Sequence, residues 1–196
     1  MPTVKVILVG NAGVGKTSII KRLTEDVFDN NSQATVGSSN AFYQVQNKNG
    51  EVVSMKIWDT AGQERYRSLI PMFFNDTGLA FIVFDLTNED SFSAIESFYK
   101  LLEENAPKDI KYVLVGSKND LQDVRKISSS VAQNYANTIG ASFYSECSAK
   151  DGNGIKEMFK QAADIQGIPF EPEIPGLIEE IEEGATQEPE PQQGCC

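Results

Sequence analysis

The chain has 196 residues and a net charge of −11, which makes room for one domain with a sizeable core plus an appendage. Such an acidic balance excludes a surface built to hold nucleic-acid backbones. No apolar run approaches the roughly 20 residues of a membrane span, and three cysteines, two of them terminal, make no disulfide framework.

The first apolar run, Val4 to Val9, reads as a strand and begins so early that no signal peptide fits before it, so the chain is expected to be intracellular. Gly10-Asn11-Ala12-Gly13-Val14-Gly15-Lys16-Thr17 follows, and a helix-like stretch opens at Ser18. This is a complete phosphate-loop pattern between strand and helix. Its glycines allow the backbone N–H groups from Asn11 to Ser18 to point inward at phosphates, and the helix N-terminus adds partial positive charge. Lys16 would meet β- and γ-phosphate oxygens, and the Thr17 hydroxyl would ligate Mg²⁺.

Phe42–Gln46 and Glu51–Ile57 flank Asn49-Gly50, a hairpin signal that predicts one antiparallel edge strand. The second run leads into Trp58-Asp59-Thr60-Ala61-Gly62-Gln63-Glu64, at a strand's C-terminal end, where open parallel sheets bind ligands. Asp59 would hold hydrated Mg²⁺, the Gly62 N–H would reach a terminal phosphate, and Gln63 would orient a water for attack. With the phosphate loop, this defines a Mg²⁺–nucleoside triphosphate site.

Further runs near 79–84, 112–116 and 141–144 alternate with helix-like stretches at 90–105, 128–138 and 155–165, after the one at 16–24. The alternation predicts an α/β fold, a mostly parallel six-stranded sheet with helices on both faces. Ser117-Lys118-Asn119-Asp120 leaves the run at 112–116. The Asp120 carboxylate can accept two parallel hydrogen bonds from the N1 and 2-amino groups of guanine, which adenine lacks, while the Lys118 stem lies along the base. Glu146-Cys147-Ser148-Ala149-Lys150 follows the strand expected at Ala141 to Tyr144, and the Ala149 N–H could donate to the guanine carbonyl.

From Gly167 onward there are eight glutamates, five prolines and no Lys or Arg, which predicts a disordered linker over 167–196 after a domain at 1–166. Within it Ile174, Leu177, Ile178 and Ile181 fall at helical spacing, as either a fleeting helix on a solvated tail or a docking stripe. Cys195-Cys196 is no C-a-a-X box, and two vicinal terminal thiols have no evident structural use.

Five motifs in order and spacing, those at Gly10, Thr35-Val36-Gly37, Trp58, Ser117 and Glu146, make residues 3 to about 166 resemble a small GTPase of the Ras superfamily. Trp58, Arg65-Tyr66-Arg67-Ser68-Leu69 and the Cys-Cys terminus make the Rab family the nearest resemblance within it. The resemblance implies a GTP/GDP switch with a Mg²⁺ cofactor, controlling intracellular membrane traffic. Thr35 resembles the family's second side-chain Mg²⁺ ligand, and Phe28 its aromatic against the guanine ring. Ser148, Ala149 and Lys150 would complete the base site. Also implied are two geranylgeranyl groups on Cys195 and Cys196, which would attach a cytoplasmic chain to the cytosolic face of an intracellular membrane. The partners implied are an exchange factor, an activating protein, a GDP-dissociation inhibitor, a prenylation escort protein and effectors at the switch surface.

No arginine sits placed to neutralise transition-state charge, and Arg65 and Arg67 read as solvated or partner-facing, so turnover is expected on the order of 10⁻⁴ to 10⁻³ s⁻¹ without an activator. Three departures from the family pattern stand out. Ser117 replaces an asparagine, which predicts weakened but retained guanine binding; Ser38-Ser39-Asn40-Ala41 makes the stretch before Phe42 more polar; and Met72-Phe73-Phe74 replaces a tyrosine pair, altering the switch surface. A nucleotide-locked binding module and an ATP-using enzyme are the competing readings. The first predicts slow or absent EDTA-stimulated exchange, and Lys118 with Asp120 argues against the second.

Overall fold

The structure, a computed structural model, describes residues 1–29, 38–60 and 71–171. In chain order it runs β1 (Thr3–Val9), α1 (Lys16–Glu25), β2 (Ser38–Gln46), β3 (Val52–Thr60), β4 (Thr77–Asp85), α2 (Glu89–Ser93), α3 (Ile95–Asn105), β5 (Lys111–Ser117), α4 (Ser129–Thr138), β6 (Phe143–Glu146) and α5 (Ile155–Ala163). The strands form one sheet in the order β2-β3-β1-β4-β5-β6. All neighbours are parallel except β2, which pairs antiparallel with β3 from Ser38↔Thr60 to Gln46↔Val52. The α/β architecture expected from the alternating runs is the one observed.

Strand geometry sends successive side chains to opposite faces. Val4, Val6 and Leu8 of β1, with Leu79, Phe81 and Val83 of β4, join a core with α1 and α5. Ile7 and Val9, with Ala80, Ile82 and Phe84, join the other core under α3 and α4. Every residue of β4 is buried, so the middle strand reads as a continuous apolar run, as two-sided coverage requires. Helix α5 places Ile155, Met158, Phe159, Ala162 and Ala163 on one buried stripe at helical spacing. Burying one such large side chain stabilises by about 1.5–3 kcal/mol.

Local chemistry moves several boundaries. The expected helix over 90–105 divides into α2 and α3 at Ala94. Asn88 caps α2, its Oδ1 accepting from the N–H groups of Asp90 and Ser91, and Ser97 Oγ donates to the Ala94 carbonyl at the joint. The last strand is Phe143–Glu146 instead of 141–144. Gly140 (φ 65°) ends α4, and the Ala141 N–H donates back to Ala136 at 2.9 Å while that of Gly140 donates to Asn137, so Ala141 closes a helix and is not free to open a strand. Between β2 and β3, Asn47 Oδ1 accepts from the N–H groups of Asn49 and Glu51, and Gly50 takes φ 82°, completing the expected hairpin.

Residues 167–171 lie on the body, although the acidic linker was expected to start at Gly167. Ile168 is buried, the Glu171 N–H donates to the Thr3 carbonyl at 2.7 Å, and the Glu171 carboxylate pairs with Lys56. A Cβ on Gly78 would lie 2.4 Å from the Pro169 carbonyl, so the strap fits against the start of β4 because that residue has no side chain. The Ile174 stripe and Cys195-Cys196 lie outside the described residues.

Candidate nucleotide site

At the C-terminal edge of β1 the chain enters the loop Gly10–Gly15. A Cβ on Gly10 (φ 147°) would stand 2.1 Å from the Val83 carbonyl of β4, so the loop packs on the sheet because this position is glycine. Gly15 caps α1 at φ 98° with no side chain bonded to the helix end, and the first turn carries no acid. The open N–H groups at that end are what an anion binds. Lys16 is 5 % exposed, and its Nζ donates to the Gly10 and Asn11 carbonyls at 2.8 and 2.9 Å. Burial pulls its pKa down from 10.5 to about 8, the Asp59 charge opposing part of that.

Beside it, Thr17 Oγ1 donates to Asp59 Oδ2 at 2.6 Å, across 42 positions of sequence. Asp59 is held at the end of β3 next to Leu8 of β1, and the Thr60 hydroxyl pins that end by donating to the Leu8 carbonyl at 2.7 Å. Thr17 and Asp59 present hard oxygen donors side by side, the set that suits Mg²⁺. Thr35, Gly62 and Gln63 lie outside the described residues, as do Arg65 and Arg67.

Next to the loop, a pocket of about 400 Å³ is lined by Gly13, Val14, Gly15 and Ser18, by Phe28 and Leu121, and by Ser117, Lys118, Asp120, Ala149 and Lys150. The site residues predicted on four separate segments thus meet in one cleft, of a size usual for small-molecule sites. Lys118 takes a left-handed conformation (φ 61°), and its Nζ pairs with Asp85 at 2.7 Å. Burial works to raise the Asp85 pKa, but hydrogen bonds from Lys118 and Thr87 outweigh it and hold the carboxyl below its usual range. Asp120 Oδ1 accepts from Ser148 Oγ at 2.8 Å, and Ser148 is in turn fixed by the Asp151 N–H.

Several supporting residues escaped the sequence reading. Arg22 on α1 donates to the Ala149 carbonyl at 2.7 Å and the Lys150 carbonyl at 2.8 Å, clamping the last motif onto the phosphate-loop helix. Arg125 makes a two-pronged contact with Glu146 at 2.8 and 2.6 Å, and Tyr144 donates to the same carboxylate at 2.7 Å. Burial tends to raise the Glu146 pKa, yet these bonds keep it below 4.5. A Cβ on Gly116 would meet the Tyr144 hydroxyl at 2.8 Å, so the aromatic ring reaches its place over a glycine. Cys147 is buried, which pushes its thiol up to about 12, so it packs and does not react.

The expected alteration at Met72-Phe73-Phe74 divides three ways. Met72 is exposed, Phe73 packs on Trp58 with ring centres 5.7 Å apart, and Phe74 is fully buried in the core and belongs to no surface.

A glycine-rich loop gripping an open helix N-terminus, with lysine inside and a threonine–aspartate pair beside it, defines a phosphate-loop nucleotide-binding domain. Comparison with known sequences narrows this. The Ras family profile matches residues 5–166. Ras-related protein Rab-22A of Homo sapiens is 39% identical over 198 residues, covering 98% of this chain and 97% of that protein. Ras-related protein Rab-31 of Rattus norvegicus is 42% identical over 168 residues (86% and 85%), and RABF2b of Arabidopsis thaliana 39% over 159 (81% and 78%). The chain belongs to the Rab family of Ras-type small GTPases. It is a GTP-hydrolysing switch in membrane traffic, with GTP or GDP and Mg²⁺ as its cofactors. Family membership brings exchange factors, activating proteins, effectors and a dissociation inhibitor as its classes of partner.

Proposed function

We propose that the described residues form the binding half of the switch, and that the order state of the two loops around Thr35 and Gly62 is its output. Lys16 leaves the Gly10 and Asn11 carbonyls for phosphate oxygens, and the N–H groups from Asn11 to Ser18 cradle the remainder. Thr17 and Asp59, with Thr35 as a third ligand, would hold Mg²⁺, which would supply positive charge against the phosphates. Phe28 and the Lys118 stem flank the base, Asp120 accepts from its N1 and 2-amino groups, and Ser148, Ala149 and Lys150 close its edge. Gln63 orients the attacking water. Loss of the γ-phosphate releases Thr35 and Gly62, so the surface offered to partners exists in one state. The observation that carries this reading is the 2.6 Å contact of Thr17 with Asp59 beside a buried Lys16.

The folded unit in this reading ends near Glu171, and the remaining acidic tail tethers it. Geranylgeranyl groups on Cys195 and Cys196, added with the help of an escort protein, anchor it to the cytosolic face of an intracellular membrane. The deciding experiment is to denature the freshly purified chain, kept in Mg²⁺, and identify the released nucleotide by chromatography. Near-stoichiometric GDP or GTP is expected. An adenine nucleotide would overturn the assignment of Asp120. Gln63→Leu should then slow intrinsic hydrolysis and leave GTP binding intact; a variant that lost its nucleotide would remove Gln63 from the mechanism.

A further inference from the structure

Ser117 ends β5 and is 3 % exposed, yet it lines the base pocket. Its Oγ lies 2.6 Å from the Val14 carbonyl in the phosphate loop and 2.8 Å from the Phe84 carbonyl on β4. A hydroxyl has one proton and two lone pairs, whereas a carbonyl can only accept. Both protein neighbours therefore compete for the single proton, and a third acceptor has no claim on it. Guanine presents only acceptors, N7 and O6, on the edge away from its N1 and 2-amino groups. The hydroxyl's lone pairs have nothing to receive from that edge.

Asp120 is arranged in the opposite sense. Ser148 is fully buried, and its hydroxyl accepts from the Asp151 N–H and spends its own proton on Asp120 Oδ1. That bond uses one of the roughly four lone-pair sites of a carboxylate and fixes the group's plane, leaving the second oxygen to accept from a ligand.

We propose that Ser117 is a positioning residue that ties the phosphate loop to the sheet and gives nothing to the base, so that Asp120 alone among the side chains reads guanine, on its N1 and 2-amino edge. The inference rests on the guanine-site reading above and specifies how selectivity is divided within it. The chain is then indifferent to chemistry at position 7 of the purine, and loosening the tether weakens every nucleotide alike.

The test is competition of GDP, 7-deaza-GDP, inosine diphosphate and ADP against ribose-labelled fluorescent GDP, on the full chain in Mg²⁺. 7-Deaza-GDP should bind within about twofold of GDP, whereas inosine diphosphate, which lacks the 2-amino group, should bind about tenfold or more weakly. Ser117→Ala should weaken GDP, 7-deaza-GDP and inosine diphosphate by a common factor, and Ser117→Thr, which keeps the hydroxyl, should restore them. Ser117→Asn, whose amide has two protons, should create a preference for GDP over its 7-deaza form. A preference of about tenfold for GDP over 7-deaza-GDP in the unaltered chain that disappears in Ser117→Ala would overturn the proposal. Tighter binding of ADP than of GDP would instead overturn the guanine-site reading beneath it.

Discussion

At the scale of single residues, the site depends on atoms that are missing as much as on those present. Gly10 is the sharpest case, because a methyl group there would overlap the Val83 carbonyl. Gly10→Ala must therefore move the loop or β4, and we expect a loss of about 2–4 kcal/mol in denaturant unfolding together with loss of nucleotide. Arg22 poses the complementary question. It lies on α1, where Lys21 and Arg22 look like an ordinary solvated pair in sequence, and its two targets lie 127 and 128 positions away. No local pattern marks such a residue, whereas Lys16 and Thr17 were legible as the end of a phosphate-loop pattern, and Asp59 as the carboxylate closing a strand ahead of Gly62 and Gln63. Arg22→Ala should free the Ala149–Lys150 segment and raise the GDP dissociation rate by about tenfold, since two charge-assisted bonds are lost. Secondary structure should stay unchanged by circular dichroism. An unaltered dissociation rate would reduce the clamp to a surface contact.

At the scale of elements, the boundaries that sequence periodicity misplaced were those set by local capping bonds, from side chains at Asn88 and Ser97 and from the backbone at Gly140 and Ala141. Apolar patterning placed five of the six strands and the helices α1, α4 and α5, and the Asn49-Gly50 signal placed the edge strand β2, but α2 and α3 read as one helix. It could not foresee that Gly140 and Ala141 would close α4, since a 6→1 bond leaves no periodic trace. The same holds for the loop after β5, which Arg125 ties to Glu146 of β6, a carboxylate that Tyr144 of the same strand also holds. Glu146 and Asp85 have folded-state pKa values below their usual 4.5 and 3.8. The unfolded chain therefore takes up protons first as pH falls, and the stability these pairs contribute is complete above about pH 5 and lost as pH drops through the folded values. Glu146→Gln should lower stability at pH 7 by about 1–3 kcal/mol and make the acid limb of a stability–pH profile shallower. A parallel downward shift at every pH would mean that the carboxylate's charge is not what the pair contributes.

The strap at 167–171 belongs to this scale too. Its proline and glutamate content reads as linker, and what seats it is Gly78, a residue about ninety positions earlier. Truncation after Gln166 should cost about 2–3 kcal/mol by uncovering the seat of Ile168. Because the strap meets the start of β1 at Thr3, at the far end of the strand from the phosphate loop, GDP affinity should hardly change.

At the scale of the whole molecule, charge decides what can bring the chain to a membrane. The net charge is −11, and past Glu171 there are seven further glutamates and no cation. Glu171 itself is already engaged with Lys56 on the body, and the sequence beyond it carries nothing basic. No helix among the described residues is long and apolar enough to cross a membrane. An anionic leaflet attracts Lys and Arg at about 1 kcal/mol each near its surface, and a glutamate-rich segment gains nothing from that field. One lipid chain gives only marginal, reversible binding, whereas two anchor stably. In the attachment proposed above, two lipids on Cys195 and Cys196 would act against a mild electrostatic penalty. The full chain without lipid should not bind vesicles at any phosphatidylserine content. The doubly geranylgeranylated chain should sediment with neutral vesicles, and slightly less well as phosphatidylserine is added at low salt. Cys195→Ser, limited to one lipid, should wash off. Binding of the unmodified chain that rose with phosphatidylserine would place a basic face on the body itself, and the lipids would then assist attachment without determining it.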